Sequence, residues 1–99
     1  MVQVIWEFVV RKDALAQFEQ AYGPEGSWVR LFERYAGYRG TELVRDHSNP
    51  RRYMTIDSWD TLEHRGEMLR NGQAEYTRLD RELGVLVESE IELGVFTSL

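Results

Sequence analysis

The feature that most constrains this chain is its first segment. Val2, Val4, Trp6, Phe8 and Val10 recur at a period of two, with Gln3, Ile5, Glu7 and Val9 between them. That period, with β-branched and aromatic residues on it, is the signature of a strand. The even-numbered side is wholly apolar and bulky. The odd-numbered side is mixed, with Ile5 and Val9 flanking Glu7. A strand that is apolar on both faces belongs in the middle of a sheet and needs a cover on each side. The rest of the sequence must therefore supply two covers.

Asp13 reads as the N-cap of a helix that carries Leu15, Phe18 and Tyr22 on one stripe, and Gly23-Pro24 ends it. A second short helix starts near Ser27, with Trp28, Leu31, Phe32 and Tyr35 at i, i+3, i+4, i+7, and stops at Gly37. Tyr38 to Asp46 reads as a second strand and His47-Ser48-Asn49-Pro50 as a turn. Arg52 to Trp59 is a third strand, Met54 and Ile56 alternating with Tyr53, Thr55, Asp57 and Trp59. Asp60-Thr61-Leu62-Glu63 has the pattern of a capping box, with Asp60 as acceptor, opening a helix to about Arg70. Asn71-Gly72 interrupts it. A further helix carries Tyr76, Leu79 and Leu83 and ends at Gly84. The last strand, Val87 to Phe96, alternates Val87, Ser89, Ile91, Leu93 and Val95 against Glu88, Glu90 and Glu92.

The order strand, helix pair, strand, strand, helix pair, strand is the split βαβ, or ferredoxin-like, α+β arrangement. It predicts one domain over residues 1–99, a four-stranded antiparallel sheet with both helical layers on one face. The other face is left bare yet apolar, which predicts a homodimer through the sheet faces.

Composition removes several function classes. With no cysteine there is no disulfide, thiolate nucleophile, or cysteine-ligated zinc or iron–sulfur site. A net charge of −5 argues against a nucleic-acid partner. The longest apolar run, Val85-Leu86-Val87, is far too short to cross a bilayer, and no cationic flank precedes the first apolar stretch. A cytoplasmic protein with no membrane partner is expected. No Gly-rich turn has the spacing that dinucleotide phosphates need. His47 and His64 have no carboxylates at ligand spacing, so no metal site and no cofactor is expected.

The residues resemble the antibiotic biosynthesis monooxygenase-like branch of the dimeric α/β-barrel superfamily over nearly the whole length. The resemblance rests on Ile5-Trp6-Glu7-Phe8, Tyr22 to Trp28, Gly37 to Leu43, Arg52 to Trp59 and Leu79 to Leu83. It implies dimers whose sheets face each other. Some members are small oxygenases that oxidise polycyclic phenols without metal or flavin, some degrade haem, and many have no assigned activity. The haem-degrading members use a helix His late in the second helical layer, with a Trp before it. Here Met68 to Arg78 contains neither, and His64 lies earlier than the ligand position.

Within that frame the candidate catalytic residues are His64, Asp57 and Glu7, and the candidate substrate-binding residues are Trp59, Trp28, Tyr22, Tyr53 and Tyr76. His64 carries an imidazole that could act as a base toward a phenol, or be a surface histidine. Asp57 and Trp59 share a strand face, so Trp59 could stack on a flat substrate while Asp57 orients a phenol; equally Trp59 could be core. Glu7, on a central strand, must be paired or protonated. Glu88, Glu90 and Glu92 read as a solvated edge-strand face or a dimer rim. The aromatic set suits an apolar pocket for an aromatic small molecule. The readings are a cofactor-independent monooxygenase-like enzyme on an aromatic or quinoid metabolite, a non-catalytic dimeric binding, sensory or stress-response domain, or a haem-binding member.

Overall fold

The computed structural model covers residues 1–99. Its elements are β1 (Val2–Val10), α1 (Leu15–Tyr22), α2 (Ser27–Phe32), β2 (Tyr38–Arg45), β3 (Arg52–Trp59), α3 (Leu62–Asn71), α4 (Gln73–Leu83), a 3-10 turn (Gly84–Leu86) and β4 (Val87–Thr97). The four strands form one antiparallel sheet in the order β2-β3-β1-β4. This is the ferredoxin-like α+β arrangement, and the two-faced strand β1 lies inside it.

The even-numbered face of β1 carries the core. Val4, Phe8 and Val10 are buried there with Tyr53 and Trp59 of β3, under Phe18 of α1, Leu31 of α2, Met68 of α3 and Leu79 of α4. Phe18, wholly buried, stacks on Tyr22 at 4.2 Å between ring centroids and meets Phe8 at 5.2 Å. Rings of this size each contribute about 1.5–3 kcal/mol on burial, so this cluster fixes α1 on the sheet.

Two helix starts differ from expectation. Asp13 does not cap α1: the residue before the helix is Ala14, which makes no side-chain cap but is itself buried. Packing sets that start. α3 is capped by Thr61 rather than Asp60, its hydroxyl accepting from the His64 backbone N–H at 3.1 Å. The Asp60 carboxylate is held instead by the Arg39 guanidinium, at 2.6 and 3.1 Å. Gly37 has φ +89°, and a Cβ there would lie 2.3 Å from the His64 ring, so only glycine fits between β2 and α3.

β4 does not keep strict alternation. Its pairing to β1 slips between Ile5 and Trp6, so that Ile5 faces Gly94 while Trp6 faces Glu92. It slips again between Val9 and Val10. These bulges put Val95 opposite Val4, on the helix side, and leave Ile91 and Phe96 opposite Glu7 and Gln3 on the other side. The uncovered sheet face therefore carries Ile5 and Val9 of β1, Met54 and Ile56 of β3, Val44 of β2, and Ile91 and Phe96 of β4. No helix is long and apolar enough to cross a membrane.

Candidate active site

A pocket opens between the helix-side face of the sheet and helices α2 and α4. Trp6 and Phe8 of β1, Tyr22 at the end of α1, Trp28 and Phe32 of α2, and Tyr76 of α4 make its aromatic wall. The opposite wall is polar, formed by Thr41 of β2 with Thr55 and Asp57 of β3. Asp80 of α4 and Glu90 of β4, both exposed, complete it. The interior void is about 40 Å³, and the space counted out through the open mouth is about 410 Å³. Trp28 and Tyr76 meet edge to face at 4.9 Å, so the wall is itself packed.

Asp57 is the distinctive group. It sits opposite Val4 on one side and Thr41 on the other, in the two ladders that β3 makes, and is 8% exposed. Burial pushes its carboxyl up to about 6, against the pull of the Thr41 hydrogen bond and the Arg65 charge. The Thr41 hydroxyl donates to Oδ1 at 2.6 Å. A threonine hydroxyl has one hydrogen. With that hydrogen spent on Asp57, the 2.6 Å contact between Tyr38 and Thr41 must be a bond that Tyr38 donates. The chain Tyr38 to Thr41 to Asp57 thus runs from a half-buried phenol into the pocket. Burial pushes Tyr38 and Tyr76 up to about 12 and Tyr22 higher still, so all three stay neutral at ordinary pH.

One polar atom in the wall has no partner. Trp28 Nε1 is buried without a hydrogen-bond acceptor in suitable geometry. The Tyr22 hydroxyl lies near it, an approach that opposes the rise burial gives Tyr22, but the two make no aligned bond.

The candidate residues fall into three groups. Asp57, Trp28, Tyr22 and Tyr76 come together in the pocket. Trp59 and Tyr53 lie in the core and do not line it. Trp59 packs on Phe32 and Tyr38 at 5.7 and 5.2 Å. The Tyr53 hydroxyl donates to Glu19 at 2.5 Å. His64 and Glu7 are elsewhere. The His64 Nδ1 is 2.8 Å from the Thr61 hydroxyl and its ring packs on Gly37. Glu7 is on the uncovered sheet face, ion-paired with Arg52, which also binds Asp46 at 3.0 Å. No group of three or more His, Asp or Glu side chains is placed to hold a metal ion.

Thr41, Thr55, Asp80 and Glu90 were not singled out by sequence. Thr55 was findable, since it shares the period-two face of Asp57. Glu90 was hidden because the three glutamates of β4 looked equivalent. In the fold they diverge: Glu88 pairs with Arg51, Glu92 with Arg65 at 2.8 Å, and Glu90 lies opposite Phe8 and enters the pocket wall.

Among solved structures, SnoaB from Streptomyces nogalater, described as a cofactor-independent oxygenase, superposes with a TM-score of 0.77 at 23% identity, covering 99% of this chain and 92% of its own. A Bordetella bronchiseptica protein provisionally assigned as an antibiotic biosynthesis monooxygenase superposes at 0.76 and 20% identity, covering 99% and 96%. A conserved protein from Methanosarcina mazei Go1 does so at 0.74 and 13%, covering 99% and 92%. At these identities the likeness is one of fold. No curated protein sequence matches. The family model for antibiotic biosynthesis monooxygenase matches residues 1–71, which takes in β1 to α3 and every pocket residue except Tyr76, Asp80 and Glu90. With most of its length under that match, the chain belongs to the antibiotic biosynthesis monooxygenase family.

Proposed function

We propose that this protein is a cofactor-independent oxygenase acting on a small, flat, readily oxidised phenol or quinol. The observation that carries the reading is Asp57, a buried carboxylate poised near pH 6 in an aromatic pocket. A base whose affinity for protons lies close to ambient pH is largely ionised yet still binds a proton usefully. Asp57 takes the phenolic proton, and the phenolate ring becomes electron-rich enough to reduce O₂. One oxygen atom joins the ring carbon, the other leaves as water, and the product is a quinone. The substrate supplies all four electrons, so no external reductant enters. Aromatic walls keep bulk water from the oxidised ring. The Tyr38–Thr41 hydroxyl pair, donating inward, steadies the ionised form of Asp57 that takes the proton.

The SnoaB description supports the same chemistry at the level of the family. The test is oxygen uptake with a naphthalenediol, which should give a hydroxynaphthoquinone and one water per O₂ consumed. Wild type should exceed autoxidation, and Asp57→Asn should lose about 10²–10⁴ of the enhancement. A wild-type rate equal to autoxidation over a panel of diols, with binding intact, would assign the pocket to a non-catalytic carrier or sensor.

The assembly proposed with this function is a homodimer, each copy covering the apolar sheet face of the other. Val44, Ile91 and Phe96 are 37%, 54% and 48% exposed in the single chain, beside the half-buried Ile5, Val9, Met54 and Ile56. A largely apolar sheet face, broken here by the Glu7–Arg52 ion pair, is a usual site of association.

A further inference from the structure

We propose that the pocket is selective for charge, and that its ligand is an aromatic molecule with a protonated amine at one end and an oxygen acceptor at the other. This rests on the pocket being the ligand site, as above, and goes further by naming the kind of ligand.

The argument starts from how the chain distributes its ion pairs. Eight salt bridges occupy carboxylates elsewhere on the molecule. None reaches Asp57, Asp80 or Glu90, the three carboxylates of the pocket wall. The charge of Arg65 is felt at Asp57 and Tyr76, but its guanidinium is bound to Glu92 at 2.8 Å. The pocket is therefore a net acidic site whose three carboxylates have no ion-pair partner. Glu90 shows the consequence, its carboxyl held up by partial burial and then by the charge of Asp80.

Aromatic faces beside unpaired carboxylates are the environment that recognises ammonium groups, through ring quadrupole and charge together. Trp6, Tyr22, Trp28 and Tyr76 supply those faces. An anionic ligand would meet three like charges and gain no cation.

A second observation is independent of the acidic groups. Trp28 is 8% exposed and its Nε1–H is buried with nothing aligned to accept it. Buried donors left unpaired are rare and call for an explanation. Trp28 lines the pocket, and a ligand carbonyl or hydroxyl oxygen that reached its indole edge would satisfy the N–H. A donor at Trp28 and acceptors at Asp80 and Glu90 together specify an amino-substituted oxygenated aromatic, held at both ends.

The experiment titrates three probes of one shape, naphthylmethylamine, naphthylmethanol and naphthylacetate, into the wild-type protein near neutral pH, reading tryptophan fluorescence and heat. The amine should bind about three- to tenfold tighter than the alcohol, as two partly solvated carboxylates allow, and the acetate about tenfold weaker or worse. The preference should shrink at high salt, where exposed charges are screened. Asp80→Asn with Glu90→Gln should remove most of the preference for the amine over the alcohol, leaving only what Asp57 contributes. Removing the indole N–H by Trp28→Phe should weaken the alcohol as well as the amine. Equal binding of amine and alcohol, or a preference for the acetate, would overturn the charge proposal and leave the pocket reading standing. Failure of all three to bind to folded protein would remove both.

Discussion

Thr41 and Asp57 face each other across the β2–β3 ladder, and the threonine hydroxyl spends its single hydrogen on the carboxylate at 2.6 Å. The bond favours the ionised form, and without it burial alone would drive the carboxyl higher than about 6. The pair sets the working pH of the proposed base. Thr41→Val should raise the Asp57 midpoint by roughly one to two pH units, the scale of a hydrogen bond to a charged group. A carboxyl-carbon NMR titration reads this directly, and an unmoved midpoint would mean that the bond is not the controlling contact.

Asp57 should also cost the fold stability. Its carboxyl binds protons more tightly in the folded state than the ordinary 3.8, being pushed up to about 6. The native state then holds more protons than the unfolded state between those values, so stability falls as pH rises from about 4 to about 6. Above that window the penalty is fully present, on the order of 2–3 kcal/mol. Asp57→Asn removes the charge while keeping an acceptor for Thr41. It should raise the thermal midpoint near neutral pH, with little effect at pH below about 4, while costing most of the proposed activity. Calorimetry at the two pH values checks the sign, and a destabilised variant at neutral pH would contradict it.

The proposed base should show itself in rate as well. Activity on a diol should climb with pH through about 6 and level off above it, since only ionised Asp57 accepts the proton. Tyr22, Tyr38 and Tyr76 stay neutral across that range, so no second inflection should come from them below about pH 10. An optimum set by a histidine would instead follow His64→Ala, which should leave the profile in place because that ring lies against Gly37, outside the pocket.

Local patterns carried the fold because each element has its own period and its own stop. The strand periods of β1 and β3, Gly23-Pro24, and the Asn71-Gly72 break sit where the residues implied them. What sequence could not show was competition between elements. Asp60 is a good cap in isolation, but Arg39, twenty-one residues away, binds it first, and the neighbouring Thr61 takes over. The site had the same difficulty. Trp28, Tyr22, Tyr76 and Asp57 were legible by type and face, whereas Glu90 depended on a bulge that no alternation rule reports. Trp59 shares the face of Asp57, yet α2 lays Phe32 on it at 5.7 Å and closes it into the core.

The helix cap gives a clean test of that competition. Thr61→Ala should destabilise the fold by about 0.5–2 kcal/mol by leaving the His64 backbone N–H without its acceptor. Asp60→Ala, which loses only an exposed ion pair to Arg39, should cost less, within about 1 kcal/mol. Urea midpoints for the two variants decide the order, and a larger loss for Asp60→Ala would restore the capping-box assignment.

The uncovered sheet face should decide the state of assembly. Ile5 and Ile56 are paired neighbours on it, in the middle of the sheet, with Met54 and Val9 beside them and Phe96 and Ile91 on β4. Two such faces meeting should bury more than about 1,000 Å² in total, the size at which an interface becomes specific. Light scattering should therefore give about twice the 11.7 kDa of the chain at micromolar concentration. Ile56→Glu places a charge at the centre of the contact, opposite its own copy or close to it, and should shift the protein to monomer. The pocket lies on the other side of the sheet, so its ligand binding should survive in that monomer unless the partner stabilises the fold as a whole. Comparing the urea midpoint of the variant at two protein concentrations separates these cases, because only a dimer-coupled fold gains stability with concentration. A wild-type protein that stays at 11.7 kDa would leave this face without its expected cover.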